Sequence, residues 1–71
     1  MESEKFGAAR RASGVTVEKA SKACSVSRPT YNARERYPLD FRLSELKALY
    51  DVLDETGRKL LKEAIDSVFE Q

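Results

Sequence analysis

The sequence predicts a small all-α domain of five helices, and three observations carry that prediction. Apolar residues recur at three- and four-residue spacing along most of the chain, with no sustained alternation that would mark a strand. Serine, threonine or aspartate stands just ahead of several of these periodic segments, where a side-chain oxygen caps a helix. The chain has 71 residues, 35% of them charged and 41% hydrophobic, with only two prolines to interrupt helices. That length makes one domain, residues 1–71, at most.

The elements follow in order. Ser3 is placed to cap a first helix with Phe6, Ala9 and Ala12 on one face, ended by Gly14 in a left-handed conformation. Gly7 inside it costs about 1 kcal/mol relative to alanine unless close packing requires it. Thr16 caps a second helix in which Val17, Ala20, Ser21 and Cys24 point inward. After a break at Cys24-Ser25-Val26, Ser27 caps a third. Pro29 is tolerated in its first turn because that N–H has no intrahelical acceptor, and the helix stops before Pro38. Residues 37–42 read as a loop. Leu43, Leu46, Leu49, Tyr50 and Leu53 then give a fourth helix. Asp54 caps a fifth, over 54–71, with the stripe Leu60, Leu61, Ala64, Ile65, Val68 and Phe69.

Composition excludes whole classes of function. Only about 60% of the surface of so short a chain is buried on folding, which leaves no space for a lidded active site beside a core. A single cysteine, Cys24, excludes an intramolecular disulfide, and the absence of histidine removes both an ordinary zinc site and the usual partner of a nucleophile. No acid–base pair, metal set or glycine-rich phosphate loop is present, so an enzyme is not expected, nor is any cofactor or metal. Apolar runs are too short to span a membrane, and MESEKFG has no signal-peptide core, so the expected compartment is the cytoplasm.

The net charge of +1 hides a polarity. Residues 10–42 carry eight cations against three carboxylates, and residues 43–71 carry four against seven. A basic segment joined to an acidic one is the pattern of a protein with one face toward a polyanion, and also of a merely well-solvated helix surface.

Two short helices across a tight turn, residues 16–24 and 27–36, form a helix-turn-helix. Small inward residues (Ala20, Ser21, Cys24) let the helices cross closely, and Val26 plugs the corner. The second helix then projects its first turn and outer face, where a DNA major groove can receive it.

Residues 14–36, GVTVEKASKACSVSRPTYNARER, resemble the helix-turn-helix of the phage repressor and Cro type without a gap. The likeness runs over roughly residues 6–53 and is strongest at Arg10, Gly14, Thr16, Val26, Ser27, Arg28, Thr30, Glu35 and Arg36. It implies a repressor-like DNA-binding domain whose recognition helix opens at Ser27, and a partly buried ion pair between Arg10 and Glu35. Four positions depart from the family pattern. Val17 stands where glutamine is usual, Ser25 where glycine is, Cys24 where a larger aliphatic is, and Arg34 where an apolar residue packs inward.

On this reading Arg28, just after the cap Ser27, is the candidate for a bidentate guanine contact. Thr30, Asn32 and Ala33 line the groove face behind it, with Pro29 at the tip; Asn32 suits adenine and the Ala33 methyl suits thymine. Thr16, Lys19, Lys22, Arg36 and Arg42 are candidates for phosphate contacts, and Tyr37 for the DNA backbone. Cys24 and Tyr31 read as core.

The C-terminal stripe either closes the core or pairs with itself across a two-fold axis, through Leu61, Ile65, Val68 and Phe69. The second suits DNA reading, because paired recognition helices about 34 Å apart match one turn of duplex. The expected function is therefore a homodimeric, sequence-specific DNA-binding regulator, of a phage, mobile-element or antitoxin kind, acting by operator occupancy. The departures motivate a rival from another class: a protein-binding module, such as a phage-encoded inhibitor of a host nucleic-acid machine.

Overall fold

Side-chain oxygens set where three of the helices begin. The computed structural model describes residues 4–70, which form α1 (Glu4–Ala12), α2 (Val17–Cys24), α3 (Arg28–Arg36), α4 (Leu43–Val52) and α5 (Glu55–Phe69). Thr16 caps α2, its hydroxyl oxygen accepting from the Lys19 N–H at 3.1 Å. Ser27 caps α3 by accepting from the Thr30 N–H at 3.3 Å, and Asp54 caps α5 by accepting from the Gly57 N–H at 3.0 Å. Gly14 closes the turn after α1 with φ of 70°. The expected Ser3 cap lies outside the described residues.

The stretch 37–42, read as a loop, contains a single 3-10 turn, Pro38–Asp40. It delivers Phe41 to the core. The Phe41 ring stacks on Phe6 at 5.2 Å between centroids and meets the edge of Tyr31 at 6.2 Å.

Helix α1 lies along α5, while α2 packs against both α3 and α4. Phe6, Tyr31, Leu49 and Leu61 are the largest fully enclosed side chains of one continuous core. No helix among the described residues is long and apolar enough to cross a membrane.

Two inward assignments and one interface assignment are corrected. Ala12 is exposed, because at 3.6 residues per turn it sits about 120° round from Phe6, and the buried face of α1 runs through Phe6, Ala9 and Arg10. Leu43 is 83% exposed, since α4 turns Glu45 and Leu49 inward. Leu61 is 1% exposed and belongs to the core with Gly57 and Ala64, so it is not free to form a dimer interface. Ile65 and Val68 are half-buried against the same core, and Phe69 is exposed. Val15, in the turn after α1, is an unanticipated core residue.

The junction between α1 and α5 is tightly made. The Ser13 hydroxyl donates to Asp54 Oδ1 at 2.8 Å and accepts from the Asp54 N–H at 3.1 Å. Donation from the Gly57 N–H and the Ser13 hydroxyl holds the Asp54 carboxyl below its usual range. Gly57 has to be glycine here, because a methyl group would collide with the Ser13 side chain.

The turn between α2 and α3 stores strain. Ser25 adopts φ 60° and ψ 40°, the left-handed conformation that ends α2, and its N–H donates to the Lys22 carbonyl at 3.1 Å. The left-handed region costs an L-residue about 1–2 kcal/mol, which glycine avoids. Allowing for the greater freedom of glycine when unfolded, Ser25→Gly is expected to stabilise the protein by about 0.5–1 kcal/mol. A thermal midpoint that fails to rise would mean the serine conformation is not strained.

Candidate nucleic-acid interface

Tyr31 is the main apolar anchor of α3 to the body. It is the single fully buried side chain of that helix, packed under Phe41 and beside α1. With Tyr31 turned in, the opposite side of the helix is left outward. Arg28, Pro29, Asn32 and Arg36 are exposed, and Ala33 is half-buried. Arg28, Asn32 and Arg36 follow at four-residue steps and so form one edge of the helix.

Thr30 is placed differently from its expected role. It is half-buried, and its hydroxyl is hydrogen-bonded to the Ser27 hydroxyl at 2.9 Å. Ser27 and Thr30 thus spend their oxygens on starting the helix, which aims Arg28 outward but leaves them little for a base edge. Thr16 likewise uses its oxygen as a cap.

The cations divide into two groups. Among the described residues, Lys19, Arg28, Arg36 and Arg42 are exposed and their side chains make no ion pair or hydrogen bond, whereas Lys22 reaches Glu18 at 3.8 Å and Lys47 reaches Asp51 at 2.8 Å. These four lie on α2, α3 or the start of α4, while Lys5 on α1 and Lys59 and Lys62 on α5 are likewise exposed without an ion pair or hydrogen bond among the described residues. Tyr37 is 59% exposed just past the end of α3.

Two internal ion pairs brace α3. Arg10 Nε donates to Glu35 Oε2 at 2.7 Å, and Arg10 Nη1 donates to the Val15 carbonyl at 3.0 Å, so α1, the following turn and α3 are tied at one guanidinium. Burial alone would lower the Arg10 pKa, but the Glu35 carboxylate outweighs it and the net shift is upward. The resemblance-based pair is therefore present.

The second pair is one that sequence reasoning missed. Arg34 Nε and Nη2 donate to the two oxygens of Glu45 at 3.0 and 3.4 Å, and the Arg42 N–H donates to Glu45 Oε1 at 2.9 Å. Burial would push the Glu45 carboxyl up, yet the Arg34 guanidinium and the Arg42 N–H hold it below its usual range. Glu45 is 4% exposed. The Cys24 thiol donates to the Glu45 carbonyl at 3.5 Å, and burial pushes that thiol up. The substitutions at Cys24 and Arg34 thus meet at one place: a small side chain and an arginine around a buried carboxylate. A glutamate three residues after Arg42, at the third position of a helix, was the available signal.

Family models, characterised proteins and solved structures yield no match to this chain.

Proposed function

We propose that this chain is a sequence-specific double-stranded DNA-binding regulator that inserts α3 into the major groove and acts by occupying its site. The observation that carries the reading is the outward edge of α3, where Arg28, Asn32 and Arg36 stand exposed with no side-chain ion pair or hydrogen bond among the described residues. Arg28 reads guanine, Asn32 reads adenine, and the Ala33 methyl meets thymine. Lys19, Arg36 and Arg42 hold phosphates and set the register. The regulator works in the cytoplasm as a two-fold dimer. Phe69, with the outer edges of Ile65 and Val68, supplies the self-pairing surface, and Leu61 stays in the core.

Selection from random duplexes tests this, followed by titration at 50–200 mM salt. Affinity is expected to fall steeply with salt. Arg28→Ala is expected to cost about 1–3 kcal/mol and to relax preference at one base pair. Lys47→Ala, whose partner is Asp51 on α4, is expected to change neither. Absence of DNA binding at low salt, combined with capture of a specific protein partner through the same edge, would replace this reading with that of a protein-binding module.

A further inference from the structure

The exposed edge of α3 does not end at α3. Beside it lies an open depression of about 260 Å3, lined by Glu4, Gly7 and Arg11 of α1 and by Asn32, Glu35 and Arg36 of α3. We propose that this depression seats a backbone phosphate of the bound DNA between Arg11 and Arg36, displacing Glu4 from Arg11. The proposal rests on the DNA-binding reading and extends the contact surface to α1, beyond α2, α3 and the start of α4.

The charges favour an anion there. Glu35 lines the depression, but its charge is already matched by Arg10 at 2.7 Å. Arg36 is unpaired among the described residues. Among the described residues Arg11 pairs with Glu4 alone, at 3.7 Å, with both side chains more than half exposed, and such a pair contributes little. A phosphate oxygen offers the Arg11 fork a stronger acceptor than a solvated carboxylate at that distance.

Gly7 adds an independent argument. A glycine inside a helix weakens it, so the space it leaves calls for a use. A methyl group at Gly7 would come within 2.9 Å of Arg11 Nη1 and 3.2 Å of Glu35 Oε1. Glycine therefore lets the Arg11 guanidinium lie down over α1 on the side of α3, instead of reaching out into solvent. That posture brings it to the depression shared with Asn32 and Arg36.

The test compares wild type, Arg11→Ala, Glu4→Gln and Arg28→Ala on the selected duplex and on an unrelated one, across a salt series. One phosphate contact contributes about 0.9 to the log–log salt slope. Arg11→Ala is expected to flatten the slope by about that amount and to weaken both duplexes equally, roughly five- to tenfold at 0.1 M salt. Glu4→Gln is expected to tighten both. Circular dichroism melting of each variant, with Arg11→Lys as a charge-retaining control, keeps folding separate from binding. Wild-type affinity and slope in Arg11→Ala, with Arg28→Ala still losing preference, would overturn the phosphate seat and leave the recognition helix standing. Failure of wild type to bind any duplex would end both. Loss of polyglutamate binding in Arg11→Ala with duplex binding intact would reassign the depression to an acidic protein surface.

Discussion

Leu61→Ala is expected to lower the unfolding free energy by about 2–5 kcal/mol, not merely to alter self-association. Leu61 is 1% exposed on the α5 face that receives α1, with Ala64 one turn away and Phe6 among the same enclosed cluster. Truncating a buried leucine removes its transfer free energy and leaves a cavity, together about 2–5 kcal/mol. A domain of this size has a total stability on the order of 5 kcal/mol, so the loss is a large share of it. Urea titration followed by circular dichroism measures the effect. Phe69→Ala is the contrast, since Phe69 is 79% exposed and its truncation is expected to leave the unfolding midpoint within about 0.5 kcal/mol of wild type. A folded Leu61→Ala chain with the wild-type midpoint but a smaller sedimentation coefficient would return that residue to an interface.

Glu35→Ala is expected to cost about 3 kcal/mol. Its partner Arg10 has a side chain only 10% exposed and would be left with the Val15 carbonyl as its remaining acceptor. Removing one partner of a buried pair leaves an uncompensated charge, which costs more than the pair itself contributes. Tyr31 makes the site more demanding, because its hydroxyl is enclosed there with no hydrogen-bond partner among the described residues. Burial, then the neighbouring Glu35 carboxylate, pushes the phenol far above its ordinary range, so it stays neutral and cannot take over as a counter-charge. Tyr31→Phe is accordingly expected to be neutral or slightly stabilising, since it deletes an unsatisfied group while keeping the ring. Arg10→Met combined with Glu35→Ala is expected to recover part of the loss, as replacing both charges with apolar atoms often does. Additive losses in that double variant would mean the two side chains are energetically independent.

Local rules carry much of this architecture. Thr16, Ser27 and Asp54 cap the helices they precede, and Gly14 closes its turn in the left-handed region, because capping depends on neighbours within three residues. What local rules do not encode is which side of a helix the rest of the chain will cover. Ala12 and Leu43 fit an apolar period and still face solvent, since a small or N-terminal apolar residue extends a stripe without saying where its centre lies. Phe41 joins two aromatic neighbours from within a loop, where periodicity has no purchase. Glu45 is harder still. Its carboxylate is buried only because Arg34, eleven residues earlier, turns inward from a position that resembles an apolar packing site. The exposed edge of α3 was legible through the caps and Tyr31; the contribution of α1 to it was not, because Arg11 reaches that edge through the space left at Gly7.

The packing of α1 on α5 joins residues about fifty positions apart and gives the chain a late assembly step. Helix α1 is synthesised before α5, and its apolar side has no complete surface to settle on until α5 has followed. A chain cut before residue 61 lacks most of the α5 face that covers Phe6 and Ala9. A product stalled or clipped before α5 therefore carries α3 without the support of the α1–α5 packing, and is expected to be a substrate for proteolysis.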